Sequence, residues 1–280
     1  MRSPFTEDDV DRLVAAGRGN GEGAAYIPWV NVRDFSSLGV CFRPTGWRSG
    51  RVHEFFSTVE YHCFLILQWM DSVVDVREQL PLLPIEDTKR IAQCLGVEHP
   101  RHRFSRKPVV MTTDLVVTRV DGGQRLTEAI SCKRSSDLQD TRTLEKQEIE
   151  RLWWAEQNIR WSIVTERELN GNLVKNLVWV EDHWALGVPE EEDRIRIAAS
   201  AYDGIHQTPS ASLSRVCNAL DDRLGHPPGT ALAVARHAIA RKWWKVPMNI
   251  AINAQMPLPG LTKGACWPLN RTSTPGRQVA

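Results

Sequence analysis

The segment Val109–Lys133 reads VVMTTDLVVTRVDGGQRLTEAISCK. β-Branched residues crowd Val109–Arg119, Asp121-Gly122-Gly123 is a tight-turn signal, and Arg125–Lys133 returns along the first arm, so a β-hairpin is expected here. Side chains alternate between the faces of a strand, which puts Ser131 and Lys133 on one face and points Cys132 into the sheet. Asp114 on the first arm then lies beside Lys133 on the second, and the backbone carbonyl of Cys132 stays within reach of a cation. A carboxylate from a helix packed beside the sheet would complete such a site, and Glu60 is the candidate.

The neighbouring sequence fits a sheet with flanking helices. From Ser57, residues Val59, Cys63, Ile66, Leu67 and Met70 fall near one helical face, and Ser57-Thr58-Val59-Glu60 has the form of a capping box. Ser72–Glu78 alternates as a strand does, a short helix is expected over Asp87–Cys94, a strong one over Thr143–Gln157, and a short buried strand over Trp161–Thr165. The fold class is therefore α/β with a mixed sheet. Ahead of it, Gly17–Gly23 (GRGNGEG) lacks both a preceding strand and a following GK[ST], so it reads as a flexible arm and not as a phosphate loop.

A boundary is expected at Gly187-Val188-Pro189, followed by helices to His206, over Ser210–Leu224 and over Gly229–Trp243, and a short hairpin over Trp244–Ile252. Three helices and a small β-element make a winged-helix-like module. The expected organisation is an N-terminal arm and start of the core (1–50), a catalytic α/β domain (51–187), the winged-helix-like domain (188–256) and a flexible basic tail (257–280).

Composition narrows the class. The 280 residues carry 35 Lys and Arg against 34 Asp and Glu, a net charge of +1 that does not by itself announce a nucleic-acid binder. The total conceals segregation. Residues 57–100 hold seven acidic groups and three basic ones, Arg101–Thr113 has four basic groups and no acid, and nothing acidic follows Asp222 while eight basic residues do. Blocks of one sign commonly meet something of the other. The stretch Cys63–Met70 is far too short to span a membrane, and the acidic N-terminus is unlike a signal peptide, so a cytoplasmic location is expected, nucleoid-associated when on DNA. The six cysteines show no C-x-x-C spacing and read as free thiols, and the eleven tryptophans read as core and interface anchors.

Two carboxylates and a lysine around a divalent cation suit phosphodiester hydrolysis, because the metal offsets phosphate charge and lowers the pKa of water while the lysine stabilises the transition state. An acid and a lysine on adjacent strands also form ordinary surface ion pairs, so spacing alone leaves both readings open. Further blocks carry a resemblance: GRGNGEGAAYIPW (Gly17–Trp29), GRVHEFFSTVE (Gly50–Glu60), DVREQLPLLP (Asp75–Pro84), TTDLVV (Thr112–Val117) and TLEKQEIERLWW (Thr143–Trp154). Together they resemble the TnsA endonuclease family, whose members partner a DDE-type transposase in heteromeric bacterial transposons, and residues 190–255 resemble that family's winged-helix domain more weakly.

The resemblance implies a restriction-endonuclease-like core that cuts the 5′ strand ends of a transposon with Mg2+, for which Mn2+ would substitute. It implies a DDE transposase as partner on the transposon-end DNA, and an AAA+ regulator engaged through the C-terminal domain. Glu60 and Asp114 match the family's acidic metal ligands and Lys133 its motif lysine. The family position usually held by Gln or an acid is Ser131 here, whose short hydroxyl puts the number of metals in question. Glu145, Glu148 and His62 are weighed as residues lining the site against roles as solvated or structural groups, as is His53 for the DNA groove. Arg101, Arg103, Arg106 and Lys107 are expected to contact phosphates just ahead of the Asp114 strand. An assembly scaffold with a decayed nuclease site and a sequence-specific regulator are the competing functions.

Overall fold

The computed structural model describes residues 5–34 and 40–268, which divide into two compact units, Met1–Leu169 and Asn170–Ala280. The first unit is built on an open four-stranded sheet of order β1 (Val73–Pro81), β2 (Thr112–Asp121), β3 (Gln124–Cys132), β4 (Arg160–Val164). The β1–β2 and β2–β3 pairs are antiparallel and β3–β4 is parallel, so the sheet is mixed as expected. The hairpin turns at Gly122 and Gly123, both at positive φ (54° and 84°), a region that glycine enters without a Cβ clash.

Helices α1 (Val10–Ala15), α2 (Thr58–Trp69), α3 (Ile85–Leu95) and α4 (Thr141–Glu156) complete this unit. Leu115, Val116 and Val117 are consecutive and all buried, which requires cover on both faces of the sheet. Val116 and Ala129 pack with Ile91 and Ala92 of α3 and Ile149, Trp153 and Trp154 of α4, while α2 lies against β1, β2 and β3. Helix α4 begins where Asp140 accepts hydrogen bonds from the Thr143 amide and hydroxyl, both at 2.8 Å.

The glycine-rich segment is not a free arm. Gly23 N–H donates to Asp75 Oδ1 (3.1 Å), Arg51 Nε donates to the Gly23 carbonyl (3.1 Å), and a Cβ at Gly19 would stand 2.5 Å from Pro81. Its glycines allow close approach to β1, so the composition that suggested mobility is there for packing. Beneath it, Glu78 is fully buried and saturated: Arg51 donates two hydrogen bonds (2.7 and 2.6 Å), His53 Nδ1 lies at 2.9 Å, and the Glu54 amide donates at 3.1 Å. His53 belongs to this cluster and not to a DNA groove.

The second unit holds α5 (Gly171–Val180), α6 (Glu191–Gln207), α7 (Leu213–Leu224), α8 (Thr230–Ala240) and a small antiparallel pair, β5 (Trp244–Lys245) with β6 (Thr262–Lys263). The order of α6, α7, α8 and a small sheet is that of the expected winged-helix-like module. The unit starts earlier than the anticipated Gly187–Pro189 boundary because α5 packs on α8. The Trp244–Ile252 hairpin is not formed. Buried Asn176 of α5 donates to the carbonyls of Met248 (2.9 Å) and Ile250 (2.7 Å) and accepts from the Ile252 amide (2.9 Å), consuming the groups a hairpin would pair. Residues 257–268 are likewise fastened, with Thr262–Lys263 in the sheet and Trp267 buried. The rest of the expected tail lies outside the described residues.

Candidate active site

The first unit contains a cavity of about 580 Å3 into which Glu60, Asp114, Lys133 and Glu150 all project. Each comes from a different element. Glu60 stands in the first turn of α2, where Ser57 Oγ accepts its amide hydrogen (3.2 Å). Its carboxylate also meets the Ser57 side chain, and Oε2 accepts from the Phe56 amide (3.1 Å) and from Gln79 Nε2 (3.3 Å). One carboxylate thus caps the helix and still lines the cavity, so the two roles weighed for Glu60 are compatible.

Asp114 Oδ2 is the hub. It accepts from Ser131 Oγ (3.2 Å), the Cys132 amide (2.7 Å) and Lys133 Nζ (2.6 Å). The Lys133 ammonium also donates to the Cys132 carbonyl at 3.0 Å. Antiparallel pairing of Leu115 with Ile130 sets this register and brings the aspartate and the Ser-Cys-Lys run side by side. Ser131 is buried and its hydroxyl fixes the Asp114 carboxylate, a supporting role that a short side chain can fill.

Glu150 was not singled out in the sequence. It sits on α4, buried, and accepts from Thr113 Oγ1 (2.8 Å), which in turn accepts from Trp154 Nε1 (2.7 Å). Thr143, Lys146, Gln147 and Glu150 line the cavity at helical spacings of three and four, which marks one face of α4. Glu145 and Glu148 lie off that face: Glu145 pairs with Arg142 (2.5 Å) and Glu148 with Arg151 (2.7 Å). Following the period of the buried Ile149–Trp153 stripe around to its edge would have found Glu150. His62 is half-buried, its ring tilted at 42° to that of Tyr61, and it does not line the cavity. Burial lowers its pKa from the ordinary value.

The electrostatics of the cavity are out of balance. Burial, reinforced by the Asp114 charge, pushes the carboxyls of Glu60 and Glu150 up to about 7 each. Burial alone would lower the Lys133 ammonium, but Asp114, Glu150 and Glu60 outweigh it and raise its pKa above the ordinary value. Three carboxylates therefore face two lysines, Lys133 and Lys146, with a backbone carbonyl beside them. No ready-made cluster of three or more His, Cys, Asp or Glu ligands occurs among the described residues. The donor set nevertheless fits a hard divalent cation: it is all oxygen and over-negative, and the Lys133 ammonium already uses two of its atoms, Asp114 Oδ2 and the Cys132 carbonyl.

Of the expected phosphate contacts, Arg101, Arg103, Arg106 and Lys107 are all exposed and lie between Pro100 and Val109, two residues that line the cavity. Arg101 and Arg106 share Glu98 (3.2 and 3.3 Å), and Lys107 pairs with Asp8. No described helix is long and apolar enough to cross a membrane.

The chain matches known proteins over parts of both units. Residues 70–166 match the model of the TnsA-like endonuclease N-terminal domain, and residues 168–248 that of the TnsA endonuclease C-terminal domain. The chain is 42% identical over 178 residues to the transposon Tn7 transposition protein TnsA of Escherichia coli, an alignment spanning 64% of each chain. With an open mixed sheet that gathers the carboxylates and lysine, and with both domains matched in order, this chain belongs to the TnsA endonuclease family.

Proposed function

We propose that the protein is a metal-dependent DNA endonuclease that cuts the 5′ strand ends of a transposon during cut-and-paste transposition, alongside a DDE transposase and an AAA+ regulator. The convergence of Glu60, Asp114, Lys133 and Glu150 in one cavity carries this reading. Glu60, Asp114 and the Cys132 carbonyl would hold Mg2+, or Mn2+ in its place, as oxygen donors. A cation held there would polarise the scissile phosphate and acidify attacking water.

The protein groups supply the remaining chemistry. Lys133 stays protonated through neutral pH and offsets charge gathering on the phosphate, so it acts by electrostatics and not as a base. Glu150, with its proton affinity near neutrality, is matched to accept a proton from water. Lys146 lines the same cavity and is suited to a flanking phosphate. Ser131 and Gln79 hold Asp114 and Glu60 in place.

The test is reconstitution of the full chain with its cognate transposase, regulator, transposon-end DNA and Mg2+, mapping 5′-strand nicks for wild type, Asp114→Ala and Lys133→Ala. Nicking by wild type alone supports the reading, with products of the variants moving from simple insertions towards cointegrates. Assembly of the complex by wild type without that nick would make the protein a scaffold. Footprinting of unpartnered DNA at a specific sequence, without nicking, would make it a regulator.

A further inference from the structure

The basic segment after Pro100 is a built hairpin with an aromatic residue at its tip. Arg101 and Pro108 form an antiparallel bridge, the Val109 amide donates to the Pro100 carbonyl (2.9 Å), and the His102 amide donates to Lys107 (2.8 Å). The Arg106 amide closes back on His102 (2.9 Å), the Ser105 amide and hydroxyl both meet His102 Nδ1 (3.0 and 2.7 Å), and Arg101 Nη1 caps the Arg106 carbonyl (3.0 Å). Arg106 adopts φ of 60°, an unfavourable conformation for a side-chain-bearing residue that this turn imposes.

Phe104 sits in that turn with 74% of its surface exposed, the only aromatic among the exposed large apolar residues described. The Arg103 guanidinium lies 5.6 Å from its ring centroid and the His102 ring 5.9 Å away. The hairpin's other three cations pair outward, Arg101 and Arg106 with Glu98 and Lys107 with Asp8. Exposed pairs of this kind contribute little and are readily exchanged for phosphates. Both ends of the hairpin, Pro100 and Val109, line the cavity that holds Asp114 and Lys133.

We propose that this hairpin is a DNA wedge: Phe104 inserts between base pairs beside the phosphate to be cut, while Arg101, Arg103, Arg106 and Lys107 grip the flanking phosphates. Proteins that kink DNA insert apolar side chains between base steps in this way, and the unstacking is offset by the added backbone contacts. A protein partner fits less well, because the centres of protein interfaces are depleted of charge and this ring stands on a hairpin that carries four cations. The wedge opens the stack so that the backbone can enter the carboxylate cavity. The inference rests on the nuclease reading for the position of the cut.

The experiment uses the full chain, transposase, regulator and transposon-end DNA carrying 2-aminopurine at successive positions around the 5′ cut. Fluorescence is read in Ca2+, to separate binding from cutting, and strand cleavage in Mg2+. Wild type should brighten the probe at one step beside the cut; Phe104→Leu should keep part of that signal and Phe104→Ala should lose it, with cutting slowed about tenfold. The salt dependence of binding should be unchanged in Phe104→Ala and should flatten in Arg103→Ala, which loses a phosphate contact. Wild-type brightening without any cutting would sink the nuclease reading and leave the wedge standing. Cutting by wild type with no brightening, or equal cutting by wild type and Phe104→Ala, would overturn the wedge, as would loss of transposase binding by Phe104→Ala in the absence of DNA.

Discussion

Two clusters of buried carboxylates in the same unit are treated in opposite ways. Glu78 is fully buried, yet Arg51, His53 and a backbone amide answer both of its oxygens, and its pKa falls to about 2: burial would raise it, but the hydrogen bonds and charges of Arg51 and His53 outweigh burial. Glu60 and Glu150 are nearly as buried, share one ammonium with Asp114, and are pushed up to about 7. The first cluster is electrostatically complete, and its job is to fasten the N-terminal segment to β1. The second is left with two carboxyls that favour the protonated form, an arrangement that costs stability and suits the proposed site.

The comparison breaks most visibly at Arg51. Arg51→Ala strands the Glu78 charge in the interior and should destabilise the protein by about 3–5 kcal/mol in urea denaturation. Lys133→Ala leaves Asp114 with the Ser131 hydroxyl and Cys132 amide in an open cavity, so its stability cost should be far smaller. Its rate cost should be large, about 100- to 1000-fold in single-turnover strand cutting, since it removes the cation held against Asp114. Similar stability losses for the two variants would erase the distinction between the clusters.

Acid sharpens the same contrast. The folded pKa of Glu78 lies below the ordinary value of 4.5, so between pH 4.5 and about 2 the unfolded chain binds the extra proton. The stabilisation is fully present above pH 4.5 and lost as pH falls towards 2, about 3 kcal/mol in all. Denaturation at pH 7, 4 and 3 should show this loss in wild type and a shallower one in Glu78→Gln; parallel profiles would show that the charge of Glu78 is not what holds the cluster.

How much of this was legible in the sequence follows from what each feature depends on. The hairpin that joins Asp114 to Lys133 was readable because β-branched runs and an Asp-Gly-Gly turn are local signals, and Glu60 came from a helix start together with a family resemblance. Glu150 was missed because its burial depends on how α4 rotates against the sheet, while Glu145 and Glu148 drew attention as charges that the structure gives to Arg142 and Arg151. The arm at Gly17–Gly23 misled for a similar reason, since glycine marks both mobility and close packing, and only Asp75 and Pro81 across the fold decide between them. The Trp244–Ile252 hairpin failed because Asn176, more than 65 residues away, claims its backbone groups.

The smallest expected effect tests the charge excess most directly. Glu150→Gln keeps an oxygen to accept the Thr113 hydroxyl, so the Trp154–Thr113 relay and the packing of α4 persist. What changes is the count of negative groups around Lys133, from three to two. Because the carboxyl is fully enclosed and its proton affinity is raised, ionising it in the folded state works against folding, and neutralising it should stabilise the protein by about 1 kcal/mol in urea denaturation at pH 8. Strand cutting should fall in the same variant, so stability and activity move in opposite directions, as they do where a site is built at the expense of the fold. A variant less stable than wild type would mean that Glu150 is answered by a partner as Glu78 is, and the two clusters would then be of one kind.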